Sequence, residues 1–227
     1  MKHVHRAWRF ARAYLGLNSL KLRAASLLDR PADLITLTFG FGGGVMRPVQ
    51  VEEELANLLG IVRKLEPLTV LEIGTHKGGT LFLWTCFAKR NATIVSIDLP
   101  GGKFGGGYSR LRAALFRRFA KQKQSLHLLR ADSHARQTFE VAKNLLGGSG
   151  VDLLFIDGDH TYDGVKMDWE MYSPLVREGG IVVFHDIAAN YEDTQVKRLW
   201  DSIKVGFRHQ EYVANPEGFY GIGVLFV

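Results

Sequence analysis

An α/β fold, built on a doubly wound and mostly parallel sheet with an antiparallel C-terminal strand hairpin, is predicted by three features of the sequence. From Thr69 onward, apolar runs of strand length alternate with segments of helix length. Most of these runs are apolar without alternation, as expected of strands covered on both faces. The last two runs are joined by Ala214-Asn-Pro-Glu-Gly218, a link too short for a crossover helix, so they should pair antiparallel.

The elements follow in order. Before Asp29, the first acidic residue, come Lys2, Arg6, Arg9, Arg12, Lys21 and Arg23, an excess equal to the whole chain's net charge of +6. Val4, Ala7, Trp8, Ala11 and Leu15 recur there at helical spacing, which predicts a basic amphipathic helix over residues 1–28. Three readings compete for it: docking on its own domain or on a second subunit, contact with an anionic membrane surface or acidic partner, and a targeting peptide. A homo-oligomer is the expected assembly. Residues 31–47 are rich in glycine and read as a connector, which sets residues 1–47 apart from a domain over 48–227. Val51, Leu55, Leu58, Leu59, Val62 and Leu65 predict a helix that Pro67 stops.

Strands are expected at Thr69–Ile73, Thr93–Leu99, Leu126–Leu129, Val151–Ile156 and Ile181–Phe184, then at Arg208–Val213 and Tyr220–Val227. Helices are expected near 79–90, 108–123, 135–146, 161–176 and 194–204. The single cysteine, Cys86, excludes an intramolecular disulfide, and its apolar surroundings (Leu81–Ala88) read as a buried thiol. A reducing, cytoplasmic setting is expected, at most peripheral to a membrane. No apolar stretch approaches the roughly 20 residues that span a bilayer.

In such a sheet, ligands bind beyond the carboxyl ends of the strands, so the residues at each strand end carry the chemistry. The first strand ends Glu72-Ile-Gly74-Thr75-His76-Lys77-Gly78-Gly79. Gly74 and Gly78 allow a tight turn with close backbone approach to a ligand, and Glu72 suits a ligand that carries an ammonium group. His76 stands where a dinucleotide fingerprint has its middle glycine, which weakens a nicotinamide-cofactor reading and with it a nucleotide-dependent oxidoreductase. Asp98 ends the second strand, where a carboxylate accepts the hydroxyls of a ribose. Asp132-Ser133 follows the third, placed to read an adenine edge.

The fourth strand ends Asp157-Gly158-Asp159-His160 and the fifth His185-Asp186. If these strands are neighbours, Asp157, His185 and Asp186 face one another and form a candidate metal site. Carboxylates suit Mg²⁺, and His185 suits a softer ion such as Mn²⁺, Fe²⁺ or Zn²⁺. His160 and Asp157 are the candidate catalytic pair, with His160 able to take a proton from a hydroxyl.

The segments VLEIGTHKGGTLFL, IVSIDL, RADSH and FIDGDHTYDGVKMDWEMYSPLVREGGIVVFHD resemble the class I S-adenosylmethionine (SAM)-dependent methyltransferases. They are most similar to the small-molecule O-methyltransferases related to the cephalosporin hydroxylase and macrolide-sugar methyltransferase families. The resemblance covers roughly residues 50–190. It implies a Rossmann-like fold, with SAM held by Glu72, Gly74, Thr75, Gly78, Asp98, Asp132 and Ser133. It further implies a divalent cation at Asp157 and Asp186 and methylation of a hydroxyl on a small molecule such as a sugar. His185 departs from the acid that those relatives carry. A non-catalytic SAM-binding module recruited through its basic N-terminus is the alternative outside enzymology. Nucleic acid is not the expected substrate, because the fourth strand lacks an Asn/Asp-Pro-Pro-aromatic turn.

Overall fold

The computed structural model describes residues 2–102, 107–188 and 194–227, with side chains from Trp8 onward. Between Gly101 and Gly107 the sequence is a run of glycines broken by Lys103 and Phe104, a loop by composition, and residues 103–106 lie outside the described residues, as do the side chains of Val4 and Ala7.

Helix α1 (Lys2–Ala25) and helix α2 (Pro31–Gly40) precede α3 (Glu52–Leu65). Then come β1 (Thr69–Ile73), α4 (Gly79–Phe87), β2 (Thr93–Ile97), α5 (Arg110–Phe116), β3 (Ser125–Leu129), α6 (Arg136–Leu146) and β4 (Val151–Ile156). The chain closes with α7 (Tyr162–Tyr172), β5 (Val176–His185), α8 (Val196–Ile203), β6 (Arg208–Tyr212) and β7 (Ile222–Phe226). The seven strands lie in the order β3-β2-β1-β4-β5-β7-β6. The first five are parallel, and β7 pairs antiparallel with both β5 and β6. The expected mixed sheet is therefore present, with β7 inserted between β5 and β6. The order reverses at β1, which places β1, β2 and β4 side by side with their carboxyl ends on one edge.

Two elements differ from expectation. Residues 31–47 are not a plain connector, because α2 occupies most of them. Pro31 takes the first helical turn, where its missing N–H is harmless, and Leu34, Ile35, Thr38 and Phe39 are buried at helical spacing. In α1 the stripe named from sequence faces outward: Trp8, Ala11 and Leu15 are exposed. The buried face is Phe10, Ala13, Leu17, Leu20 and Ala24, with Leu17 fully enclosed. The helix is apolar on two opposite sides, and periodicity alone does not say which side meets the protein.

Apolar side chains bury both faces of the sheet. One cluster joins Val70, Ile94, Phe155 and Val183 to α4, α5 and the N-terminal helices, with Leu17, Leu34 and Met46 among its members. The N-terminal 47 residues thus share a core with the sheet. The opposite cluster contains Leu71, Val95, Leu154 and Val182 under α6, α7 and α8. Cys86 is buried, and burial pushes its thiol up to about 12, which leaves it unreactive. Among the described residues, no helix is long and apolar enough to cross a membrane.

Candidate active site

The turn after β1 is set by Gly74. Its φ is +91°, and a Cβ there would lie 1.9 Å from the Asp157 carbonyl oxygen. The two strand ends thus touch backbone to backbone, which only glycine permits. Gly78 also has positive φ, and a Cβ would meet the Phe116 ring at 2.5 Å. Its need is packing under α5, and it lines neither cavity described below.

Asp98 organises this loop. Its Oδ2 accepts the amides of Thr75 (3.1 Å) and His76 (2.7 Å), and its Oδ1 accepts that of Gly107 (2.7 Å). Thr75 is buried, with its hydroxyl against that of Ser96. His76 holds a left-handed backbone, φ +47°, and its ring lines the cleft. Burial, then the neighbouring Lys77, lowers the pKa of His76.

Glu72 stands elsewhere than sequence suggested. It is fully buried beneath α4, where its Oε1 accepts Thr80 Oγ1 (2.7 Å) and Trp84 Nε1 (2.9 Å). In this arrangement it fixes the helix that follows the glycine loop and reaches neither cavity. Burial raises its pKa to about 8, against the pull of the Thr80 and Trp84 donors. The folded state thus keeps a proton that the unfolded chain releases from about pH 4.5, so this group makes stability fall as pH rises from about 4.5 to 8. A Glu72→Gln variant, which keeps an acceptor oxygen, should flatten that slope in thermal melts across this range. Glu72→Ala should cost about 2–4 kcal/mol, because two buried donors lose their acceptor.

Two cavities meet at Gly74, Asp98 and Gly158. The smaller, about 290 Å³, is walled by Ile73, Ile97, Leu99, Asp132, Ser133 and His134. Asp132 Oδ1 accepts the His134 amide at 3.0 Å, and the Tyr172 hydroxyl donates to the Ser133 carbonyl at 2.7 Å, which fixes the turn after β3. Behind it lies Asp168, fully buried, with Oδ1 3.3 Å from His134 Nε2. Asp168 raises the pKa of His134 to about 9, against the effect of burial. Although burial pushes Asp168 itself up, the contact with His134 favours an ion pair here.

The larger cavity, about 400 Å³, is walled by His76, Asp157, His160, His185, Asp186 and Tyr220 among others. Strands β4 and β5 are neighbours, as expected, so the two charged strand ends converge. One ligand atom each from Asp157, His160 and Asp186 lie within 4.8 Å of one another, a spacing that a metal ion can bridge. His160 Nε2 is 3.5 Å from a carboxylate oxygen of each acid. His185, expected among the ligands, is buried in the same wall, with Nδ1 3.2 Å from Asp157 and 3.1 Å from Asp186. Neither of its ring nitrogens makes a well-directed hydrogen bond within the described residues. Burial opposes ionisation of Asp157, but His185 and His160 hold its carboxyl well below the usual range. Both histidines are raised in turn: burial disfavours their cations, and the two carboxylates outweigh it.

Three further residues shape this cavity and were not read from sequence. Gln50 Nε2 donates to Asp157 Oδ2 at 2.7 Å, from a turn without a motif. Glu54, 2% exposed, accepts the amides of Ala214 (2.8 Å) and Gly221 (3.0 Å). It thereby pins the β6–β7 turn that brings Phe219 and Tyr220 to the cavity. A signal existed, since Glu54 precedes Leu58 and Val62 at intervals of four on the buried face of α3. Tyr220 stacks near the His185 ring, centroids 5.7 Å apart.

Comparison with known proteins bears on the family and the fold. The methyltransferase-domain family matches residues 71–187, which run from β1 through the end of β5. An uncharacterized protein of Acanthamoeba polyphaga mimivirus is 32% identical over 169 residues, covering 74% of this chain and 72% of its own. An uncharacterized protein of Sinorhizobium fredii is 28% identical over 178 residues, covering 73% of this chain, which spans only 18% of that longer protein. Among solved structures, the O-methyltransferase TomG from Streptomyces achromogenes, in complex with SAM, superposes with a TM-score of 0.59 at 16% identity, over 98% of each chain. With the family match extending over every strand end that builds the cleft, the chain belongs to the methyltransferase-domain family and has the class I methyltransferase fold.

Proposed function

We propose that the protein transfers the methyl group of SAM to a hydroxyl of a small molecule, a sugar or other polyhydroxylated metabolite, with help from a divalent cation. The observation that carries this reading is the convergence of Asp157, His160 and Asp186 in the larger cavity, which meets the smaller one at Gly74, Asp98 and Gly158. The carboxylates of Asp157 and Asp186 suit a divalent ion, with His160 kept for proton transfer, and the buried, poorly hydrogen-bonded His185 beside them fits an electrostatically demanding site. Such an ion, when bound, lowers the pKa of a hydroxyl and aligns it.

The smaller cavity takes the adenosine, with Asp98 toward the ribose and Asp132-Ser133 toward the base. The methionine portion then crosses Gly74 into the larger cavity, close to His76. An acceptor hydroxyl enters from the side of Val49, Phe219 and Tyr220, the apolar part of the wall. His160 is placed to accept the hydroxyl proton, and Asp157 and Asp186 stabilise the imidazolium that results. Gln50 holds Asp157 in position through Oδ2. Orientation of the two reactants supplies much of the acceleration.

A metal screen on wild type and Asp157→Ala, with a panel of sugar and phenolic acceptors, tests the proposal. Chelation should suppress turnover, and the Asp157→Ala variant should lose about 10²–10⁴-fold in kcat with SAM affinity nearly unchanged. Full activity under chelation would exclude metal assistance. Calorimetric binding of NAD without SAM would overturn the methyl-transfer reading altogether.

A further inference from the structure

Charge is divided in this chain more sharply than its net value suggests. Residues 99–131 contain eight Lys and Arg and no Asp or Glu, and residues 1–28 contain six and none. These two segments therefore hold 14 of the 29 cations and none of the 23 acids, which leaves the rest of the chain acidic.

The fold brings the two segments together. Arg118 stacks over the Tyr14 ring at 4.2 Å and donates to the Tyr14 carbonyl at 2.7 Å. Lys21 reaches back to the carbonyls of Arg118 (3.1 Å) and Ala120 (2.7 Å). The outer side of α1, opposite its buried face, carries Trp8, Leu15 and Leu22, which are 65%, 79% and 76% exposed. These three recur every seven residues and so form one ridge, with the exposed Arg12 and Arg23 beside it. Next to α1, a cavity of about 270 Å³ is walled by Ala25, Leu28, Phe82 and Phe119, with Lys21 and Lys121 among its lining.

We propose that this face, α1 together with the basic segment around α5, docks the protein on an anionic membrane surface. A helix with an apolar ridge that includes Trp, and with Arg at its flanks, lies in the boundary between headgroups and acyl chains. The neighbouring basic segment adds attraction to anionic headgroups. The apolar cavity beside α1, with Lys21 and Lys121 in its lining, offers room for part of an acyl chain. A second copy of the chain paired symmetrically through this face is a poorer occupant, because it would set one basic surface against another. Nucleic acid answers the charge but offers no apolar phase for Leu15 and Leu22. The inference is independent of the reaction proposed above.

Sedimentation of the full chain with vesicles tests it. Binding is expected to phosphatidylcholine vesicles containing about one third phosphatidylserine, to be absent with phosphatidylcholine alone, and to weaken as salt rises. Trp8 emission should shift to the blue on binding. The combined Trp8→Ser, Leu15→Ser and Leu22→Ser variant should lose about tenfold or more in vesicle affinity, while its melting temperature and SAM binding match wild type. Equal vesicle binding by wild type and the triple variant would overturn the proposal. So would a wild-type dimer that the triple variant dissolves, or binding to duplex RNA with none to vesicles.

Discussion

Calorimetry of an Asp98→Ala variant is expected to show SAM binding weakened by about a hundredfold or more. Two effects act in the same direction. The carboxylate is the proposed acceptor for both ribose hydroxyls, and hydrogen bonds to a charged group contribute about 1.5–3 kcal/mol each. It is also the common acceptor for the amides of Thr75, His76 and Gly107, so its loss releases the loop that shapes the cleft. Asp98→Asn keeps one acceptor oxygen and should fall between wild type and the alanine variant. Burial raises the pKa of Asp98, while the three amides pull it down. Cofactor affinity should accordingly decline in acid as this carboxyl takes up its proton. An alanine variant that melts normally and binds SAM within about threefold of wild type would remove Asp98 from the binding site.

The second large effect is expected at Gly74. A methyl side chain at this position would require left-handed backbone at φ +91° and would place its Cβ 1.9 Å from the Asp157 carbonyl oxygen. The neighbouring atoms are backbone, which cannot rotate out of the way as a side chain can. A Gly74→Ala loss of about 3–5 kcal/mol follows from the combined strain and overlap, read as a lower denaturation midpoint in urea. Any molecules that fold should have Asp157 displaced, and turnover should fall further than stability alone dictates. A variant within about 1 kcal/mol of wild type would mean that the β1 and β4 ends are not in contact.

The strand positions and the convergence of the fourth and fifth strand ends were legible because parallel strands are buried on both faces and announce themselves as apolar runs. The Asp98, Asp157 and Asp186 positions followed from that framework, since a sheet of this kind dictates where its carboxyl ends lie. Three things were hidden for physical reasons. In α1, two apolar stripes oppose each other, and the buried one contains Ala13 and Ala24, whose small side chains carry a weak hydrophobic signal. In α2, glycines at one end masked a helix held by tertiary burial of Leu34 and Ile35. The partners of Gln50 and Glu54 lie over a hundred positions away in the chain, beyond any local pattern. For Glu72, spacing located the residue correctly, yet the direction of its side chain depends on Thr80 and Trp84 in the following helix.

The grip of Glu54 on Ala214 and Gly221 has a consequence for how acceptor preference can change. The aromatic rim at Phe219 and Tyr220 hangs from the C-terminal hairpin, but its anchor is a carboxylate on a helix ahead of the first strand. Because Glu54 holds backbone amides, a 213–221 turn transplanted from a relative keeps this mooring only where it leaves amides at the two positions Glu54 reaches. Altering this rim calls for the turn and the residue at position 54 to be matched together, although Glu54 and Ala214 lie 160 positions apart in the chain.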